Sequence, residues 1–99
     1  MNVDGSWDLV IDSPMGKQNV IITLKEDAGQ LTGTLLNKSN NMTTDLFDGA
    51  VTGGELTWKA KLQLMNITLT FTTSVQDDVM SGKVKAGLFG NFNVTGQRV

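Results

Sequence analysis

Residues 55–75 run Glu55-Leu56-Thr57-Trp58-Lys59-Ala60-Lys61-Leu62-Gln63-Leu64-Met65-Asn66-Ile67-Thr68-Leu69-Thr70-Phe71-Thr72-Thr73-Ser74-Val75. Leu56, Trp58, Ala60 and Leu62 alternate with Thr57, Lys59 and Lys61. After a short break, Ile67, Leu69 and Phe71 alternate with Thr68, Thr70 and Thr72. Side chains of an extended chain point to opposite faces in turn, so a period of two gives each strand one apolar and one wet face. A helix would need apolar residues three and four apart instead. The break is too short for a crossover, so the two strands are expected to be antiparallel neighbours.

The same pattern continues in both directions. It predicts strands near 6–12, 17–25, 30–37, 42–48, 55–63, 66–75, 79–86 and 90–98. Trp7, Leu9 and Ile11 share the apolar parity with Val20, Ile22 and Leu24, with Leu31, Gly33 and Leu35, with Met80, Gly82 and Val84, and with Phe92 and Val94. The segment from Asn41 to Asp48 is the least regular. Ser13-Pro14-Met15-Gly16 is a turn by chemistry, with a fixed φ followed by a permissive Gly. Glu26-Asp27-Ala28-Gly29 suits a four- or five-residue hairpin, Gly53-Gly54 a two-residue one, and Gln76-Asp77-Asp78 a tight turn lacking the usual Gly. Gly29-Gln30-Leu31-Thr32-Gly33, Gly54-Glu55-Leu56-Thr57-Trp58 and Asp78-Val79-Met80-Ser81-Gly82 each open a strand after a turn, a repeated hairpin grammar rather than a solenoid repeat.

A sheet apolar on one face must fold over that face. The fold class expected is therefore all-β: an antiparallel up-and-down barrel of about eight strands, whose closure leaves no edge strand exposed. A two-sheet β-sandwich is the alternative. At 99 residues the chain is expected to form one barrel domain over 1–99. Gly33, Gly82 and Gly96 inside strands suit the sharp coiling of a small barrel.

Composition excludes several function classes. A net charge of −2, with eight scattered Lys and Arg, gives no phosphate-binding footprint, so no nucleic-acid partner is expected. No run of about 18 apolar residues is present to span a bilayer. The absence of Cys rules out disulfides and thiolate chemistry and fits a reducing, cytoplasmic location, although a removed signal peptide would leave the same sequence. With no His, no Cys and no Tyr, the usual triads, His bases and His- or Cys-ligated metals are excluded, and neither cofactor nor metal is expected. Asp45, Asp48, Asp77 and Asp78 fall in turns or on the wet face and read as solvated. The sequons at Asn37, Asn41, Asn66 and Asn93 read as incidental in a chain rich in Asn and Thr.

The two ends of the chain carry a resemblance. Gly5-Ser6-Trp7 opens the first strand, Arg98 lies in the last, and Leu31-Thr32-Gly33-Thr34 follows the first hairpin. The chain resembles the calycin group of meander barrels: lipocalins, fatty-acid-binding proteins and avidins. The Leu-Thr-Gly-Thr phrase is most similar to the avidin-like branch. The resemblance implies that Arg98 stacks over Trp7 where the barrel closes, a structural role for both. It does not extend to biotin, which avidins hold through Tyr, Ser, Asn and several Trp. This chain has no Tyr and two Trp. Lipocalins are normally longer, with a helix after the barrel, whereas the sequence here ends one residue past Arg98.

Three functions remain open. The first is a non-catalytic barrel binding a small apolar ligand among Leu24, Leu35, Trp58, Leu69, Phe71 and Met80. Gly33, Ala60 and Gly82 would leave space inside, and Met15, Met42, Met65 and Met80 would line the mouth. The second is a filled-core structural or protein-interaction module, with homo-oligomers an option and a patch such as Leu36, Phe47 and Phe89 outside. Under it, the same glycines relieve crowding. The third is a small barrel enzyme such as an isomerase or cyclase.

Overall fold

The computed structural model describes residues 3–13, 16–62, 66–87 and 90–99. Pro14, Met15, Gln63, Met65, Phe89 and the side chain of Leu62 lie outside the described residues. Eight strands follow in chain order: β1 Gly5–Ser13, β2 Gly16–Asp27, β3 Gln30–Asn37, β4 Met42–Thr52, β5 Glu55–Leu62, β6 Ile67–Gln76, β7 Val79–Lys85 and β8 Asn91–Arg98. Each pairs antiparallel with the next, and β8 pairs back onto β1, so the sheet is a closed up-and-down barrel. It is not an open sandwich. No α-helix occurs among the described residues.

Alternation decides which residues fill the inside. Trp7, Leu9, Ile22, Leu35, Leu56, Trp58, Phe71, Met80, Val84 and Val94 are all fully buried. Lys59, Thr57, Thr70 and Thr72 face outward, half-buried or exposed. Burial of this much apolar surface is the main driving force for the fold.

The structure departs from the sequence reading at two places. The β2–β3 turn is tighter than the four or five residues expected: Asp27 pairs with Gln30, leaving only Ala28 and Gly29 between them. Both take positive φ, 52° and 85°, as the twist-matched two-residue hairpin requires. Strand β4 runs on to Thr52 rather than stopping at Asp48. Its register against β5 shifts between Phe47 and Ala50, so Asp48 and Gly49 together oppose Trp58. This is a β-bulge, with Asp48 at φ 52°. Asp-Gly has the chemistry of a chain reversal, and here the same chemistry puts a kink into a continuing strand.

The interior glycines follow the coiling reading rather than the pocket reading. A Cβ on Gly33 would collide with the Thr23 carbonyl oxygen, and one on Gly82 with that of Thr72. The missing side chains leave room for the neighbouring strand, not for a ligand. Gly96 has the same relation to the Asp8 carbonyl. These glycines are the points where adjacent backbones approach closely enough for eight strands to coil into a narrow barrel.

Candidate functional site: the barrel interior and its closed end

One end of the barrel is shut by side chains from both chain ends. Trp7 pairs in register with Arg98, and the guanidinium carbon lies 4.3 Å from the centre of the Trp7 ring. Arg98 Nε donates to Asp78 Oδ1 at 3.0 Å and its Nη1 to the Asp4 carbonyl at 2.7 Å. Val3 lies outside the alternating pattern, yet it is fully buried, and its carbonyl accepts the Trp7 indole N–H at 3.0 Å. Asp4 Oδ1 accepts the backbone N–H of Glu26 at the far end of β2. The residues before β1 therefore fold across the barrel end. No hydrophobic period could announce this, because only one residue is buried.

The interior above this end holds all six residues expected to meet a ligand. Trp58 and Phe71 are cross-strand partners on β5 and β6, and their rings stack at 5.2 Å between centroids with an 18° tilt. Leu69 lies two residues from Phe71 on the same strand and pairs with Ala60. Met80 pairs with Val75 and with Gly96. Leu24 and Leu35 come from β2 and β3. Leu24 and Leu35 are 2% exposed, Leu69 is 7% exposed, and Trp58, Phe71, Met80 and Ala60 are 0% exposed. Side chains around an open cavity would keep surface that water could touch. These four do not, so no water-sized space adjoins them.

Among the described residues, Thr73 is the sole buried polar residue apart from the tryptophan indoles; its hydroxyl lies 3.5 Å from the Leu56 carbonyl oxygen. No Asp, Glu, Lys or Arg is buried among them. No group of three or more carboxylates is placed to hold a metal among them either. An interior of this kind can hold neutral apolar matter but has no acid, base or counter-ion. One polar atom stands apart: Trp58 Nε1 is buried and has no hydrogen-bond partner among the described residues. The alternation that places Trp58 inside carries no information on what its N–H meets.

Outside the barrel, a shallow depression of about 670 Å³ crosses β7, β8, β1 and β2, with Asp8, Val10, Asn19, Val79, Thr95, Gln97 and Arg98 among its walls. Of these positions the sequence reading gave a role only to Arg98, at the barrel closure. Asn19 Nδ2 donates to Asp8 Oδ1 and to the Leu9 carbonyl, and Lys38 pairs with Asp8 at 3.4 Å. Asp8 and Asn19 are thus engaged with each other and with their neighbours. Of the proposed outer patch, Phe47 is exposed and Leu36 half-buried, but they sit on different strands, with Leu36 paired to Thr43 and Phe47 to Lys59. No helix among the described residues is long and apolar enough to cross a membrane. In comparisons with models of known protein families and with curated proteins, the chain matches none.

Proposed function

We propose that this chain is a non-catalytic, calycin-like barrel that binds one small, largely apolar molecule in its interior. The observation that carries the reading is the make-up of that interior: apolar side chains, one Thr and no ionisable group among the described residues. Such a lining can recognise a ligand by area burial, at roughly 25 cal/mol per Å², but gives no proton transfer. The Gly5-Ser6-Trp7 opening and the stacking of Arg98 on Trp7 support the calycin-like assignment. With one end closed, a ligand lodges by parting the side chains of Leu24, Leu35, Trp58, Leu69, Phe71 and Met80. Because Trp58, Phe71 and Met80 are tightly packed, the ligand must displace side chains as it binds. Met80, unbranched and flexible, is suited to move. A chain free of Cys suits a reducing, cytoplasmic setting for this role.

The close packing around Ala60 favours a second reading: a filled-core structural or protein-interaction module, alone or as a homo-oligomer. Native mass spectrometry of protein purified from cells separates the two. A bound mass that is released on denaturation supports the binding barrel. A species at the chain mass or its integer multiples, carrying nothing, supports the filled-core module.

A further inference from the structure

The unpaired indole N–H is the feature that packing does not explain. Of the two tryptophans, Trp7 has its Nε1 satisfied by the Val3 carbonyl, whereas Trp58 Nε1 has no partner among the described residues although the residue is 0% exposed. A buried donor left unmade is costly, and native proteins rarely keep one without a use. The strand paired beside Trp58, β4, is also the barrel's least regular. It sets two residues, Asp48 and Gly49, against one, and its register against β3 breaks between Leu31 and Thr34 as well. A stretch with an interrupted ladder opens locally at lower cost than a regular one.

We infer that Trp58 Nε1 is the polar anchor of the interior site, and that the ligand is a compact, neutral molecule presenting one hydrogen-bond acceptor, such as a ketone or ether oxygen, on an otherwise apolar frame. The inference rests on the interior-binding reading and adds the ligand's class. Neutrality follows because no buried counter-ion among the described residues could offset the desolvation of a charge. The acceptor follows from the orphaned donor. The Phe71 ring, already stacked on Trp58, holds the indole plane and so fixes the direction in which the N–H points.

The test uses 1-indanone and indane, which share a frame and differ by the ketone oxygen, titrated into ¹⁵N-labelled protein. The two indole N–H resonances are read separately, with Trp7 as the internal control. The expected result is a downfield shift of the Trp58 indole proton with indanone, an unmoved Trp7 resonance, and indanone binding roughly tenfold tighter than indane. Trp58→Phe keeps an aromatic ring and should bind both compounds equally. Equal binding of both compounds to the parent, or saturable indanone binding with an unmoved Trp58 proton, overturns the anchor and leaves interior binding standing. Binding of neither compound overturns both. Should Trp58→Phe not fold, the parent's Trp58 resonance decides alone.

Discussion

Replacing Arg98 by Ala probes the closed end, and its cost can be worked from the contacts. The guanidinium stacks on Trp7 at 4.3 Å with the Arg98 side chain 27% exposed, which places the cation–π contact at about 1 kcal/mol. Its 2.7 Å bond to the Asp4 carbonyl adds about 1 kcal/mol. The ion pair with Asp78 adds less than about 0.5 kcal/mol, since that carboxylate is 78% exposed. Arg98→Ala should therefore lose about 2 kcal/mol, or roughly 8–16 °C of Tm for a domain of this size. Arg98→Lys keeps the charge but not the planar stack or the fork, so it should fall between Ala and the parent. Equilibrium urea unfolding, followed by tryptophan fluorescence and far-UV circular dichroism, measures both. A loss under about 0.5 kcal/mol for Arg98→Ala, or full stability in Arg98→Lys, would refute the view that this stack holds the end shut.

The remaining predictions concern packing and charge. Trp7→Ala should cost roughly 3–5 kcal/mol in the same assay as a large truncation in the core. Val3→Ala should cost about 1.5 kcal/mol at ~0.8 kcal/mol per buried CH₂; no loss would show that the segment before β1 does not plug the barrel in solution. Gly82→Ala and Gly33→Ala should each lose roughly 2–3 kcal/mol, because the new methyl meets the backbone of the neighbouring strand. Gly53→Ala, with φ 57° and open space around its Cβ, should lose only about 1 kcal/mol, and thermal melts of the three variants will rank them. Any interior ligand should bind with an affinity that changes less than about twofold between 50 and 500 mM salt, since no charge pairs with it; a steep dependence in a fluorescence titration would place binding on the charged outer face.

Most of the architecture was legible because one rule, apolar parity, governs seven of the strands and the reversals between them are short. The same rule fails wherever a residue's role is not set by its face. Asp48-Gly49 carries turn chemistry, and only the pairing partners on both sides reveal a bulge. Gly33 and Gly82 lie on the inward parity, so sequence alone permits either a pocket or a close strand approach. The distance to the neighbouring carbonyl decides between them. Val3 is invisible because a single buried residue has no period. Trp7 and Trp58 have the same parity and the same burial, yet one N–H is paired and the other is not. That difference lies in three-dimensional packing and cannot be read from spacing.

Binding of a small apolar molecule inside the barrel is measured by titrating an environment-sensitive apolar dye into the parent and into Ala60→Leu. Ala60 is fully buried between Leu46 and Leu69, so the larger side chain occupies the space that a ligand would need to open. The parent should bind the dye saturably at one site per chain. Ala60→Leu should unfold as cooperatively as the parent, losing about 1–3 kcal/mol from overpacking, and should bind no dye. No saturable binding to the parent, or equal binding to both proteins, would rule out an interior ligand site and favour the filled-core module.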